Sequence, residues 1–172
     1  MNIVLLTGSA HRSGTTAALA REFQRGAEDA GHEVFRFDTA FHDVHPCIGC
    51  DRCRREGVCT FAADDMKRLN PHLLAAEAVV FVSPIYYFDL SAQLKAVIDR
   101  FYANDDALHG GKRALLLTAM ADEDLGAAEG ADATFRSICA YLQWENAGIL
   151  NAAGASTAED LTEEDLRRAY DL

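Results

Sequence analysis

The stretch Val4-Leu5-Leu6-Thr7-Gly8-Ser9-Ala10-His11-Arg12-Ser13-Gly14-Thr15-Thr16 constrains the chain more than any other. An apolar run breaks into a turn rich in glycine and hydroxyl side chains, then flows into Ala17-Ala18-Leu19-Ala20, the pattern of a strand, a loop and a helix N-terminus. The first amides of a helix lack partners within it and carry the positive end of its dipole. With the hydroxyls of Ser9, Ser13, Thr15 and Thr16 beside them, the loop suits an anion, and a phosphate above all. The plainer alternative is a helix cap without a ligand.

Spacing separates the phosphate loops this could be. A nucleotide-hydrolysing loop reads Gly-x4-Gly-Lys-Ser/Thr, whereas five residues lie between Gly8 and Gly14 and Thr15 stands where lysine belongs. A dinucleotide fingerprint needs Gly-x-Gly-x-x-Gly, which Gly8-Ser9-Ala10 does not supply. A phosphatase loop needs a cysteine beside the first strand, and the first cysteine is Cys47. What survives is a loop that holds a phosphate without cleaving it.

Downstream, Leu19, Phe23 and Ala27 share one helix face, Gly31 ends that helix, and Glu33 to Asp38 alternates as a second strand. This βαβ unit predicts a right-handed crossover. Residues 39–60 show neither period and read as a long functional loop. Asp64 and Asp65 cap a helix carrying Met66, Leu69, Leu73 and Leu74, which Pro71 is expected to kink or divide. Ala78 to Val82 is apolar throughout, as in a central parallel strand, and Ser83 to Asp89 reads as a loop. Ser91 caps a helix with Leu94, Val97, Ile98 and Phe101 on its inner face, leaving Asp99 and Arg100 on the solvated one. Lys112 to Ala119 is the fourth strand. Phe135, Ile138, Cys139 and Leu142 mark a helix in which Cys139 is a packing residue, and Trp144 to Ala152 is a fifth strand weakened by Gly148. Thr162 opens a capping box closed by Asp165, with Leu161 and Leu166 as the hydrophobic staple.

Five strands alternating with helices over 172 residues predict one domain, residues 1–172, built as a three-layer α/β sandwich. Such sheets bind ligands at the carboxyl ends of their strands, where residues 9–16, 83–89 and 118–126 converge. The run Pro84-Ile85-Tyr86-Tyr87-Phe88 offers aromatic faces to a flat conjugated ring, or else makes ordinary core or interface contacts. A phosphate at one end and a planar ring at the other describe flavin mononucleotide.

Cys47, Cys50, Cys53 and Cys59 follow C-x2-C-x2-C-x5-C. With five cysteines in all, four of them crowded together, a disulfide framework is not indicated. The compact run is close to that of a [4Fe–4S] site. Zinc is the alternative, although its structural sites space their pairs more widely, and so are thiols without metal. His11 is either a donor to the ligand or an exposed loop residue, and His42 and His45 are expected to face solvent. No serine, histidine and aspartate arrangement supports hydrolysis. A net charge of −11, part of it in the tail from Glu159 to Asp171, argues against nucleic acid. No apolar run is long enough for a membrane span and the N-terminus lacks a secretion signal, so a cytoplasmic protein is expected.

Three segments taken together resemble the NAD(P)H-dependent FMN reductase branch of the flavodoxin-like superfamily, and most closely its iron–sulfur flavoproteins. They are Gly8 to Thr16, Pro46-Cys47-Ile48-Gly49-Cys50, and Ser83 to Phe88 with Gln93-Leu94-Lys95. The resemblance implies a five-stranded parallel sheet in the order 2-1-3-4-5. It also implies an FMN phosphate held by Ser9, Arg12, Thr15 and Thr16, with His11, Ser13 and Gly14 in the same loop. Pro84, Ile85, Tyr86, Tyr87 and Phe88 would line the isoalloxazine, with Thr118 and Ala119 beside it. The segment from Thr118 to Asp122 departs from relatives in lacking a glycine pair. By the same resemblance, NAD(P)H passes hydride to the flavin, no side chain acts as acid or base, and the chain forms a homodimer or homotetramer with flavin near the interface. A cluster on Cys47, Cys50, Cys53 and Cys59 would instead make an electron carrier with a ferredoxin-like partner. A zinc-binding or thiol-sensing module is the third reading.

Overall fold

In a parallel strand covered on both faces, successive side chains feed two different cores. Val4, Leu6, Val79, Phe81 and Leu116 point into one, and Ile3, Leu5, Val80, Val82 and Leu117 into the other. The computed structural model describes all 172 residues. The first core is closed by α3 (Met66–Ala75), α4 (Ala92–Asp99), the short α5 (Asp105–Leu108) and α6 (Glu129–Leu142), and the second by α1 (Thr15–Asp29) and α7 (Glu163–Asp171). Between them lies a parallel sheet of β1 (Asn2–Thr7), β2 (Glu33–Asp38), β3 (Ala78–Tyr86), β5 (Arg113–Ala119) and β6 (Glu145–Ala152). Its order is 2-1-3-5-6, and β4 (Asp89–Leu90) pairs antiparallel with the end of β3.

The expected order 2-1-3-4-5 is therefore corrected by one extra strand. Residues 83–89 do not form a loop: β3 continues to Tyr86, a two-residue turn follows, and Asp89 pairs back on Tyr86. Such turns need positive φ at both central residues and usually announce themselves as Asn-Gly. Here Tyr87 and Phe88 take φ of 48° and 67°, so no local signal was present.

Other boundaries follow the sequence. At the end of α1, Gly31 takes φ +81°, and the His32 amide reaches the Ala27 carbonyl at 3.0 Å, the bonding pattern of a Schellman cap. Pro71 neither divides nor ends α3, because buried Leu69 and Leu73 flank it and anchor the helix on the core. Gly148 coincides with a register shift in which β6 bulges by one residue, and the strand then resumes. Residues 39–60 are not wholly irregular: they hold a short 3₁₀ turn, Thr39–Phe41, and α2 (Arg52–Glu56). The final helix carries the expected capping box, with the Thr162 hydroxyl accepting from the Asp165 amide at 3.1 Å.

Candidate functional site

A solvent-open recess of about 1190 Å³ runs along the carboxyl edge of the sheet. At one end stands the N-terminus of α1. Its N-cap, Gly14, offers no side-chain acceptor, and the amides of Thr15, Thr16 and Ala17 donate to nothing. Three donors are thus unpaired at the positive end of the helix dipole, which is the property an anion seat needs. The turn is folded by the His11 amide donating to the Ser9 hydroxyl at 3.0 Å.

The loop is bolted to the neighbouring wall. The Gly8 amide donates to Val82 O at 2.8 Å, the Ser91 hydroxyl donates to Gly8 O at 2.8 Å, and the Ser91 amide donates to the Ser83 hydroxyl at 2.9 Å. A Cβ at position 8 would strike the Ser91 hydroxyl and stand 2.9 Å from Leu94 Cβ, so only glycine fits. Those bonds fix the distance from the anion seat to the second wall, Pro84, Ile85 and Tyr86. Ala119, Met120 and Ala121 form the third wall, with Met120 and Ile85 sharing a small apolar cluster.

A second recess is lined by Cys47, Cys50, Cys53 and Cys59 together with Phe61, Arg100 and Tyr102. It shares no lining residue with the first. Arg100 organises it. Only 3% exposed, its guanidinium donates from Nη1 to Asp64 Oδ2 at 2.5 Å and to His45 O at 2.7 Å, and from Nη2 to Phe61 O at 3.2 Å. His45 and Phe61 bracket the cysteines in sequence, so one buried cation pins both stems of the loop. Arg100 was expected on a solvated face; the buried acid Asp64, which also accepts from the Met66 amide, reverses that. The Thr60 hydroxyl, 3.3 Å from Cys50 Sγ, holds that thiol below its ordinary range, helped by the Arg52 amide and the charge of Arg55. No group of three or more His, Cys, Asp or Glu side chains converges on a single point as the ligands of one metal ion.

The sequence profile described as NADPH-dependent FMN reductase matches residues 1–148. The chain belongs to that family. An iron–sulfur flavoprotein of Methanocaldococcus jannaschii is 33% identical over 100 residues, covering 58% of this chain and 51% of the relative. An FMN-dependent NADH:quinone oxidoreductase of Methylorubrum extorquens is 31% identical over 120 residues, 61% of this chain and 59% of the relative. This FMN reductase family member thus spans about half the length of the curated iron–sulfur relatives it matches. Among solved structures, the NAD(P)H:quinone oxidoreductase from Methanothermobacter marburgensis has the same fold, with a TM-score of 0.71, 20% identity and 98% and 92% of the two chains covered. An FMN-dependent NADH-azoreductase from Bacillus anthracis in complex with FMN gives a TM-score of 0.67 at 17% identity, covering 99% and 94%.

In this FMN reductase family member, the large recess brings together Ser9, His11, Ser13, Gly14, Thr15, Thr16, Pro84, Ile85, Tyr86 and Ala119 of the residues expected to contact cofactor. Four others lie elsewhere. Tyr87 and Phe88 occupy the hairpin tip, Tyr87 at 99% exposure. Thr118 is buried within the sheet and donates to Asn151 Oδ1 at 2.6 Å. Arg12 lines an adjoining recess and stacks on Phe41. His42, expected in solvent, stacks on Phe37 at 4.0 Å and bonds Asp65 through Nδ1 at 3.1 Å. His45 stacks on Phe61 at 4.8 Å. The recess also has a fourth wall, Ala155 to Ala158, that the sequence reading missed. The available signal was position alone: that segment follows the carboxyl end of β6, as the other walls follow theirs.

Proposed function

We propose that the chain binds FMN in the large recess and serves as an NAD(P)H-dependent oxidoreductase that reduces flavin, quinone or a protein acceptor. One observation carries the reading: unpaired amides at the start of α1 and the Pro84–Tyr86 wall line the same recess. The residues present fit the group. Thr15, Thr16 and Ala17 would hold the phosphate through backbone donors, with Ser9 and Ser13 beside them, and Pro84, Ile85 and Tyr86 would seat the ring. Bound there, FMN supplies hydride acceptance from a reduced nicotinamide and onward release of the electrons. The chain contributes by binding and orienting, and by covering one side of the ring with apolar side chains. Exposed Tyr87 and Phe88 would be covered by a second copy of the chain, giving a homodimer or homotetramer, which light scattering with and without FMN measures.

Fluorescence titration with FMN tests the seat. Ser13→Glu puts a carboxylate on an exposed position beside the helix start, where it favours the dipole but repels a phosphate. FMN affinity should fall at least tenfold while thermal stability holds or rises. An unchanged affinity would reduce the loop to a helix cap.

A second reading is favoured by the four thiols lining one recess. It is an electron carrier in which the cysteine loop rearranges onto a [4Fe–4S] cluster and serves a ferredoxin-like partner. As arranged here, the loop does not gather three ligating side chains on one ion. Anaerobic reconstitution decides: iron and sulfide retained with the cysteines intact and lost in Cys50→Ser support the carrier. One zinc per chain supports the zinc-binding alternative, and neither metal leaves free thiols.

A further inference from the structure

Three side-chain polar atoms in the protein are buried without a hydrogen-bond partner: Asn70 Oδ1, Arg100 Nε and Asn104 Nδ2. All three belong to residues lining one cleft, which opens between α3, the 3₁₀ turn Arg100–Asn104 and residues 57–62. This cleft shares no residue with the flavin recess. It meets the cysteine recess at Cys59, Arg100 and Ala103, while both asparagines stand outside that recess. A buried polar atom without a partner costs stability and is rare in folded proteins. Three gathered on one cleft point to a ligand that pairs them.

Neighbouring bonds leave these atoms over. Arg100 is 3% exposed, and its Nη1 and Nη2 serve Asp64, His45 O and Phe61 O, so Nε is its one nitrogen without a partner. Asn104 occupies the N-cap of α5, where asparagine normally accepts from the helix start, yet it makes no capping bond. Asn70 stands on α3 beside Pro71. Charge in the cleft is answered: Asp64 pairs with Arg100, and Lys67 at the exposed rim donates to Ala63 O at 3.0 Å. Val58, Met66, Pro71 and Leu74 supply apolar lining. Two donors and one acceptor in such surroundings match a neutral amide, which turns its C=O to the donors and its N–H to the acceptor. A carboxylate would set an acceptor against Asn70 Oδ1, and an ammonium would set donors against Arg100 Nε and Asn104 Nδ2.

We propose that this cleft is a binding site for a small planar ligand with a carboxamide or ring-amide edge and an apolar body. The carbonyl would accept from Arg100 Nε and Asn104 Nδ2, the N–H would donate to Asn70 Oδ1, and the body would lie against Met66 and Leu74. The inference stands apart from the FMN reading and from whatever the cysteines carry, because neither asparagine belongs to those recesses.

Calorimetry on the full chain, with and without FMN, tests this with benzamide, benzoate and benzylamine, three probes of similar size. Benzamide should bind one per chain, and about tenfold or more tightly than the other two, the discrimination expected when a buried group is left unpaired. Asn70→Asp and Asn104→Asp introduce the same atoms and charge with opposite consequences. The first keeps an acceptor and should retain benzamide; the second replaces a donor by an acceptor and should weaken it about tenfold. Asn70→Leu and Asn104→Leu remove the unpaired atoms, so the melting temperature should hold or rise while benzamide affinity falls. Absence of benzamide binding, a preference for benzoate, or equal losses in the two aspartate variants overturns the site. A sharp drop in melting temperature in both leucine variants also overturns it, since the asparagines would then be paired within the protein. Competition by FMN would place benzamide in the flavin recess and overturn it too. Failure of the chain to bind FMN would sink the functional reading alone, because the titration without FMN still reports on the cleft.

Discussion

Tyr87 and Phe88 hold two consecutive left-handed backbone conformations, which cost non-glycine residues of order 1 kcal/mol each. Neither side chain is buried enough to repay that by packing. Their strain belongs to the rim of the recess. Replacing them by Asn and Gly should raise the unfolding free energy by roughly 1–2 kcal/mol in urea, because both residues accept positive φ. Any loss of oligomer in the same variant would locate the interface. Arg100 behaves in the opposite way. Removing it as Arg100→Met strands Asp64 inside the protein, and breaking such a buried pair costs about 3–5 kcal/mol. Urea unfolding should register that loss, with the cysteine loop becoming the first segment to exchange its amides. Cys139 gives a pH signature. Burial pushes its thiol from 9.0 to about 11, so the native state favours the neutral form. Its stabilising contribution is complete below pH 9 and disappears as the pH rises toward 11. Cys139→Ala should flatten the stability curve across that alkaline interval, as measured by urea midpoints.

Elements meet where glycines permit. A Cβ on Gly26 would strike the carbonyl of Tyr170, so α1 and α7 touch backbone to backbone. Gly26→Ala must push α7 off the second core, and a loss of several kcal/mol is expected, well beyond the gain in helix propensity of about 1 kcal/mol. Gly130 does the same for α6 against the carbonyl of Phe88, which props the strained hairpin turn. Gly8 ties β1 to α4 through Ser91 and Ser83. Gly8→Ala should therefore weaken FMN binding without touching any residue of the recess wall, because it changes the spacing between the anion seat and the ring wall. A titration showing unaltered FMN affinity would mean that the two walls move independently.

Across the whole molecule, a ligand that binds only the folded chain adds stability by mass action. Free FMN at a hundredfold excess over its dissociation constant should add about 2.7 kcal/mol, visible as a rise in melting temperature. Much of this architecture was legible beforehand, because short-range chemistry wrote it. Apolar runs in β1 and β3, helical spacing from Leu19 to Ala27 and the Thr162 capping box each need only their neighbours in sequence. The unpaired amides at the start of α1 were legible for the same reason: a strand breaking into a glycine loop before a helix makes them wherever the rest of the chain goes. Other features depend on partners distant in sequence. Whether Arg100 is solvated turns on Asp64, 36 positions away. The Tyr87-Phe88 turn exists because β4 returns to β3 under the contact with Gly130. Arg12 stacks on the Phe41 ring, and the wall from Ala155 to Ala158 reaches the recess only because β6 lies beside β5. The sequence by itself determined the periodicities, the caps and the loop of unpaired amides before α1, since these follow from local backbone bonding. The tertiary structure alone decided which charges are buried and which aromatics face the recess, because each depends on long-range packing that no local pattern encodes.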